Sequence, residues 1–178
     1  SQYCIDQDRL YGIGYSLGSM FTYEIACQLN HRFAAVASFA GTMPVDPETC
    51  ELVGGMGVLH IHGKLDYIID YDDDWDWKDG EHEGVGTMSN VPGMIEAWSM
   101  RANCGSSDTD ADFFLEHITH SDCFGGARVE HYGIEFWEHT WPDEVDGTPT
   151  YQLMWDFPQR FYQLISYNRQ DSFRVNQL

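Results

Sequence analysis

The stretch GIGYSLGSM, residues 12–20, decides the fold. A strand-like run leads into Gly14-Tyr15-Ser16-Leu17-Gly18, and a helix-like run begins at Met20. A serine between two glycines, where a strand becomes a helix, is typical of a nucleophile elbow, which lifts the serine Oγ out of the sheet. We expect both glycines to remove Cβ atoms that would clash with the neighbouring strand and helix. The alternative is a chance match in a glycine-rich turn.

The helix after Ser16 has a second expected role. The first N–H groups of a helix have no intrahelical acceptor, and they lie at the positive end of the helix dipole. We therefore expect the backbone N–H of Leu17 to donate a hydrogen bond to the oxyanion that forms when Ser16 attacks a carbonyl group.

A nucleophilic serine needs a base, and the base needs an orienting acid. The sequence supplies both in the order serine, acid, base, which hydrolases with this elbow follow. Asp66 comes just after a predicted buried strand at 58–62, and His139 follows a predicted strand at 128–137. Loops at the carboxyl ends of parallel strands gather along one edge of the sheet. We therefore expect Ser16, Asp66 and His139 to meet there.

Five stretches of the sequence carry a family resemblance. They are CIDQDRLYGIGYSLGSM, FAAVASFAGTMP, VLHIHGKLD, WSMRANC and EHTWP. Together they resemble the extracellular polyhydroxybutyrate depolymerase and feruloyl esterase family of α/β-hydrolases, which is related to carbohydrate esterases that deacylate xylan. The resemblance covers nearly the whole chain, from about Cys4 to Phe161. It implies that Ser16 is the nucleophile, Asp66 the triad acid and His139 the triad base.

The chain departs from this family at its beginning. Proteins of this fold have several strands before the elbow, and a loop after an early strand supplies the second oxyanion donor. Here the elbow strand begins almost at once, and the His62-Gly63 dipeptide follows the elbow. We therefore expect residues 1–166 to be the C-terminal part of an α/β-hydrolase catalytic domain, and residues 167–178 to be a polar tail. The expected partner is the missing N-terminal part of the same domain.

The composition limits the possible partners. The chain has 178 residues, of which 43% are hydrophobic, and a formal net charge of −20. This length and composition suit a single domain with one core. No apolar run approaches the roughly 18 residues that a membrane span needs. The acidic surface repels nucleic acid and anionic membranes, so we expect neither as a partner.

Strand and helix patterns alternate along the chain. This alternation predicts an α/β fold, in which helices cover both faces of a mostly parallel sheet. The predicted strands lie near residues 10–15, 34–40, 58–62 and 128–137. The predicted helices lie near residues 17–30 and 91–103, and within 148–166, where we expect Pro158 to interrupt the helix. The segment between the second helix and the last strand is expected to be a loop.

The five cysteines are Cys4, Cys27, Cys50, Cys104 and Cys123, and none belongs to a C-x-x-C pair typical of zinc sites. The family resemblance implies that Cys104 pairs with Cys123. The other three are predicted near the amino-end edge of the sheet, which favours a disulfide between Cys27 and Cys50. The alternative is buried free thiols. Disulfides would indicate a secreted or periplasmic protein.

The most acidic stretch is DYDDDWDWKDGEHEG, residues 70–84. Its clustered carboxylates are of the kind that binds calcium, but they lack the spacing of an EF-hand loop. We interpret the stretch as a solvated rim after the Asp66 loop. Its two tryptophans, Trp75 and Trp77, either pack the loop down or contribute to the cleft.

The remaining histidines do not predict a metal site. The stretch EHITH, residues 116–120, lacks the arrangement of two helical histidines around a glutamate that binds zinc. His60 and His62 lie on a predicted buried strand, where we expect hydrogen-bonded core histidines.

These features predict a secreted serine esterase that acts through an acyl-enzyme and needs no cofactor. The expected substrate is a polyester resembling polyhydroxybutyrate, or a feruloylated or acetylated plant polysaccharide. Tyr15, beside the nucleophile, and Trp141, near the base, are expected to line the substrate cleft. Two alternatives remain: thioesterase, lipase or peptidase activity on the same fold, and a weak or inactive module that binds polymer or glycan.

Overall fold

A computed structural model describes residues 3–47, 50–52, 54–76 and 86–162. Three α-helices, ten strands and two short 3-10 turns occur in these ranges. In chain order they are β1 (Tyr11–Tyr15), α1 (Leu17–Gln28), β2 (Ala35–Phe39), β3 (Gly57–Gly63), β4 (Trp75–Asp76), β5 (Thr87–Met88), α2 (Val91–Arg101), β6 (Ser106–Ala111), β7 (Leu115–Ser121), a 3-10 turn (Phe124–Gly126), β8 (Val129–Ile134), β9 (Glu144–Val145), β10 (Thr148–Pro149), α3 (Thr150–Asp156) and a 3-10 turn (Pro158–Arg160).

The central element is a six-stranded sheet in the order β1-β2-β3-β8-β7-β6. Strands β1, β2, β3 and β8 are parallel to one another, whereas β7 and β6 are antiparallel to their neighbours. The carboxyl ends of the four parallel strands therefore lie along one edge. Within the described part of the chain, β1 and β6 are the outer strands of this sheet.

One face of the sheet packs against α1 and α2. Val36, Val58 and Val129 project from three neighbouring strands into a core that also contains Tyr23 of α1 and Trp98 of α2. Trp98 is fully buried, so it fixes its helix against the sheet.

The opposite face packs against α3. Alternate residues of the same strands, including Leu59 and Ile61 of β3, form a second core with Met154 and Phe157. Every residue of β2 and β3 is buried, because helices cover both sides of these strands. The expectation of helices on both faces is therefore confirmed.

The segment between α2 and β8 differs from the prediction of a loop. It forms an antiparallel hairpin, β6–β7, which extends the sheet beyond its parallel part. Every residue of Ser106–Ala111 is exposed, so the strand lacks the apolar alternation by which a strand is recognised in sequence. The disulfide between Cys104 and Cys123 closes the base of this hairpin.

Two other boundaries refine the sequence interpretation. Strand β8 ends at Ile134 rather than Trp137, so a loop and not the strand carries the chain to His139. Pro158 begins a separate 3-10 turn after α3, as expected from its missing N–H. The predicted tail at 167–178, and the end of the predicted domain at 166, lie outside the described residues.

A second disulfide joins Cys27, near the end of α1, to Cys50 in the segment before β3. Cys4 is an exposed free thiol. No helix within the described ranges has the length and apolar content that crossing a membrane requires.

Candidate active site

Ser16 occupies the turn between β1 and α1 in a sparsely populated backbone conformation, with φ 54° and ψ −124°. It is the residue before the helix, yet its side chain forms no capping hydrogen bond with the helix. The backbone holds the turn instead: Ser16 N–H donates to the carbonyl oxygen of Phe39 at 2.9 Å, and Ser19 N–H donates to the carbonyl oxygen of Ser16 at 2.9 Å. A strained residue whose hydroxyl is not used for capping is characteristic of a nucleophile elbow.

The two glycines of the elbow differ in what they permit. A Cβ on Gly14 would collide with the carbonyl oxygen of Gly18 and with Oγ1 of Thr22, so Gly14 allows the first turn of α1 to lie against β1. A Cβ on Gly18 would meet none of the described atoms within 4 Å. The expectation that both glycines prevent clashes is therefore correct for Gly14 and wrong for Gly18, which lies on the open side of the helix.

The side chains of Ser16, His139 and Asp66 are joined in series. Oγ of Ser16 lies 2.7 Å from Nε2 of His139, and Nδ1 of His139 lies 2.6 Å from Oδ2 of Asp66. All three residues lie at the carboxyl edge of the parallel strands, after β1, β8 and β3 respectively. The structure thus brings together the three residues that the sequence singled out, in the geometry that serine activation requires.

The carboxylate of Asp66 is held at both oxygens. The backbone N–H groups of Ile68 and Ile69 both donate to Oδ1 at 2.9 Å, while His62 and His139 contact Oδ2. Burial raises the pKa of Asp66, but these hydrogen bonds, foremost that from His62, outweigh burial and leave the pKa below its usual value. Asp66 therefore remains ionised and accepts a hydrogen bond from Nδ1–H of His139.

The loop of His139 is placed by backbone contacts with the end of β3. The N–H groups of Lys64 and Leu65 donate to the carbonyl oxygens of Ile134 and Trp137, at 2.8 and 2.9 Å. A Cβ on Gly63 would collide with the carbonyl group of Trp137. Glycine at position 63 therefore permits the close approach of the loops that carry Asp66 and His139.

Tyr15 and Trp141, which are predicted to line the cleft, lie beside the hydrogen-bonded side chains of Ser16, His139 and Asp66. Tyr15 also contacts the loop of His139. The Tyr15 ring lies 5.5 Å from the His139 ring and 5.9 Å from the Trp141 ring, measured between centroids. The Tyr15 hydroxyl donates to the carbonyl oxygen of His139 at 3.0 Å. Contact of Tyr15 and Trp141 with substrate stays a prediction.

An apolar cavity of about 540 Å³ begins at the first residues of α1. Leu17 and Gly18, directly after Ser16, form part of its lining, together with Phe21, Pro44 and Met88. Leu17 is the first residue of α1, so its backbone N–H has no acceptor within the helix. A helix N-terminus beside Ser16 and an apolar cavity are features that an acyl group and its oxyanion would use.

Two carboxylates of the acidic stretch, those of Asp70 and Asp74, accept hydrogen bonds within the protein. Oδ1 of Asp70 accepts from the N–H groups of Asp72 and Asp73, and Oδ1 of Asp74 accepts from the backbone and side chain of Asn90. Trp75 lies in β4. Residues 77–84, including Trp77, lie outside the described part of the chain.

The histidine-rich stretch 116–120 lies in β7, a strand. His117 and His120 therefore point to opposite faces of the sheet. His117 stacks on Tyr132 with 4.0 Å between ring centroids, and Glu116 pairs with Lys64. Within the described residues, no group of three or more His, Cys, Asp or Glu side chains is arranged to hold a metal ion.

Two features near the site were not identified from the sequence. His62, expected only as a core residue, contacts the carboxylate of Asp66 at 3.2 Å. Phe113, Phe114 and Phe136 form an exposed aromatic cluster at the β6–β7 turn, next to the carboxyl end of β8. Consecutive phenylalanines after a polar run were the available signal for this cluster.

Comparison with known proteins supports the same fold and chemistry. A family model described as phospholipase/carboxylesterase matches residues 1–75, which contain the elbow and Asp66. The fold is that of the α/β-hydrolases. The six-stranded sheet, its helices on both faces and the elbow after β1 fit this assignment.

Two relatives are esterases by name. NocK of Nocardia uniformis subsp. tsuyamanensis, whose name describes it as an esterase, is 29% identical over 151 residues, 78% of this chain. The bifunctional acetylxylan esterase/xylanase XynS20E of Neocallimastix patriciarum is 24% identical over 163 residues, 88% of this chain. The chain spans 44% of the length of NocK and 21% of that of XynS20E. The chain is thus similar to esterases of the α/β-hydrolase fold, and its expected membership of the depolymerase and feruloyl esterase family stays a prediction.

Proposed function

We propose that the protein is a serine esterase that hydrolyses carboxylic ester bonds. Ser16 is the nucleophile, His139 the general base and Asp66 the orienting acid. The observation that carries this proposal is the pair of short hydrogen bonds in series, 2.7 Å from Ser16 to His139 and 2.6 Å from His139 to Asp66. The esterase names of the two relatives and the carboxylesterase family model support the same reaction class.

The reaction follows from this arrangement. Nε2 of His139 takes the hydroxyl proton as Oγ of Ser16 attacks the ester carbonyl carbon, and Asp66 stabilises the resulting imidazolium. The backbone N–H of Leu17 donates to the oxyanion. His139 then returns the proton to the leaving alcohol, which leaves an acyl group on Ser16. A water molecule, deprotonated by His139, hydrolyses this acyl-enzyme.

The proposed substrate is an ester carried on a polymer. The exposed cluster of Phe113, Phe114 and Phe136 lies at the same edge of the sheet as the triad, where its aromatic rings would stack on sugar rings or pack on a polyester. The name of XynS20E favours acetylated xylan. A feruloylated or acetylated plant polysaccharide and a polyester resembling polyhydroxybutyrate therefore form the substrate set.

We also propose that the protein is secreted or periplasmic, because the described residues contain two disulfides. When the protein is isolated from its native compartment and denatured without reductant, iodoacetamide should not alkylate Cys104 or Cys123. Alkylation of both would contradict this location.

The activity test compares Ser16→Ala with the unchanged protein on p-nitrophenyl acetate, acetylated xylan, a methyl ferulate and polyhydroxybutyrate. The proposal expects turnover by the unchanged protein and its loss in Ser16→Ala. Ser106→Ala, an exposed serine of β6, is the matched control and should retain full activity. Polymer binding without turnover of any ester would instead support a non-catalytic binding module, which is the alternative for a chain that spans part of its relatives.

A further inference from the structure

Asp66 is joined to a second line of buried polar side chains that leads away from Ser16. Nε2 of His62 lies 3.2 Å from Oδ2 of Asp66, the same oxygen that faces His139. Nδ1 of His62 lies 3.0 Å from Nε2 of His60, and Nδ1 of His60 lies 2.7 Å from the hydroxyl of Tyr23. His60, His62 and Tyr23 are completely buried.

The chemistry at the end of this line fixes its direction. Nε2 of His62 faces two groups that can only accept, the carboxylate of Asp66 and the carbonyl oxygen of Ile69 at 3.1 Å. Nε2 of His62 therefore carries a hydrogen, and Nδ1 of His62 accepts a hydrogen bond from Nε2–H of His60. Burial lowers the pKa of His60 well below its usual value and raises that of Tyr23, so His60 is neutral and accepts from the phenol. Every donor in the line then points toward Asp66.

We infer that His62 is a positioning residue for the proposed triad. Its Nε2–H holds the Asp66 carboxylate in the orientation that His139 needs. Through Asp66 it also sets the pH below which His139 is protonated and no longer acts as the base. The inference rests on the proposed function, because His62 acts on the reaction only through Asp66. His60 and Tyr23 act one and two steps further back by fixing the tautomer of His62.

The physical effect comes from competition for the charge on Asp66. The carboxylate accepts from four donors: the N–H groups of Ile68 and Ile69 at Oδ1, and His62 and His139 at Oδ2. Removing the His62 donor concentrates negative charge on Oδ2 and so favours the protonated imidazole of His139 in the free enzyme. A protonated His139 cannot accept the proton of Ser16, so the acid limb of the pH–rate profile should move to higher pH.

The groups that face His62 define a matched control. In the described residues they are His60 on its own strand, Asp66, Tyr71 with its ring centroid 5.8 Å away, and His131 of β8, to which it is coupled electrostatically. His131 is as buried as His62, but its ring nitrogens bond to the Tyr71 hydroxyl and to the carbonyl oxygen of His60. Changing His131 therefore disturbs the same core without removing a donor from Asp66.

The experiment measures kcat/KM for p-nitrophenyl acetate against pH in three variants. His62→Leu should lower kcat/KM at the optimum by about tenfold or more, as expected for losing a hydrogen bond to a charged group. Its acid limb should move to higher pH by about one unit, whereas KM should stay near that of the unchanged protein. His62→Gln keeps an N–H group within reach of Asp66, so its limb should return toward the original position. His131→Gln should leave the limb unmoved.

The outcomes separate this inference from the proposed function. An unmoved limb in His62→Leu, with Ser16→Ala inactive, would overturn the inference and leave the esterase standing. An equal shift in His131→Gln would overturn it too, because the effect would then be one of core packing. Activity in Ser16→Ala would instead contradict the proposed function.

A measurement on the unchanged protein covers the case in which His62→Leu does not fold. In ¹⁵N-histidine NMR spectra, His60 and His62 should both carry the hydrogen on Nε2, and His131 should carry it on Nδ1. An Nε2 of His62 without a hydrogen would overturn the inference.

Discussion

The phenol of Tyr15 donates a hydrogen bond of 3.0 Å to the carbonyl oxygen of His139, so the residue directly before Ser16 holds the loop of His139. The two residues are 124 positions apart in sequence. The rings of Tyr15 and His139 also stack. The Trp141 ring contacts the Tyr15 ring and packs against Phe39 of β2. Contacts within the protein therefore tie the Ser16 turn to the loop of His139.

Tyr15→Phe tests this tie, because it keeps the ring and removes the donor. We expect kcat/KM to fall about three- to tenfold, the effect of one ordinary hydrogen bond. Turnover of p-nitrophenyl acetate measures kcat/KM, and circular dichroism confirms that the variants fold equally. Tyr67→Phe, at an exposed position after Asp66, is the control and should match the unchanged protein. Equal activity of Tyr15→Phe and Tyr67→Phe would show that the tie has no catalytic consequence.

The two elbow glycines should respond differently to alanine. Gly14→Ala forces a Cβ into the backbone of Gly18, so the first turn of α1 must move, and we expect a loss of about 3 kcal/mol in the free energy of unfolding. Gly18→Ala places a methyl group in open space within a helix and should raise that free energy by about 0.5 kcal/mol. Urea denaturation measures both. A greater loss in Gly18→Ala would contradict this account of the elbow.

Asp66 and Asp70 follow the same strand, but they have different partners. Asp66→Asn removes the charge that fixes the His139 tautomer, and we expect kcat to fall by orders of magnitude, about 10⁴-fold in the serine-protease precedent. Asp70 accepts hydrogen bonds from the backbone of an exposed turn, so Asp70→Asn should change kcat only slightly. Ester turnover at equal folded concentration distinguishes them. If Asp70→Asn is the inactive variant, the acid is wrongly assigned.

The placement of Ser16, Asp66 and His139 could be predicted because it depends on strand ends. The carboxyl ends of parallel strands share one edge, so motifs after β1, β3 and β8 had to meet once the strands were recognised. Gly14 and Ser16 were identifiable because a sharp strand-to-helix turn demands a specific arrangement of glycine and serine.

Other contacts depend on folding that leaves no pattern in sequence. Strand β6 is exposed on both faces and held by pairing and a disulfide, so its polar run Ser106–Ala111 resembles a loop. The contact between His62 and Asp66 exists because the chain reverses after Gly63, where Asp66 N–H donates to the carbonyl oxygen of Gly63 at 3.0 Å. The continuous buried run of β3 identifies His62 as buried but does not identify its partner.

The buried histidines should make the protein sensitive to mild acid. Burial lowers the pKa of His131 to about 3 from a usual 6.5, and it lowers that of His60 in the same direction. Below pH 6.5 the unfolded chain therefore binds protons that the folded protein does not, and stability falls as pH falls toward the folded-state values. Each histidine contributes up to about 1.4 kcal/mol per pH unit in this window.

Urea denaturation at pH 7, 6 and 5 measures this dependence. His131→Gln removes one of the two groups, so its free energy of unfolding should fall less steeply between pH 6 and 5. His31→Gln, at an exposed position, should retain the original slope. A free energy of unfolding that does not change from pH 7 to pH 5 would contradict neutral buried histidines.

The most direct test of the central claim is covalent trapping of the nucleophile. A fluorophosphonate reacts with an activated serine hydroxyl and remains attached, so the modified residue can be located by peptide mass spectrometry. The account predicts stoichiometric modification at Ser16, loss of ester turnover in parallel, and greatly slowed labelling in Asp66→Asn, because the base is then no longer oriented. Persistent ester turnover with Ser16 unmodified, or modification at a different serine that accounts for the lost activity, would contradict it.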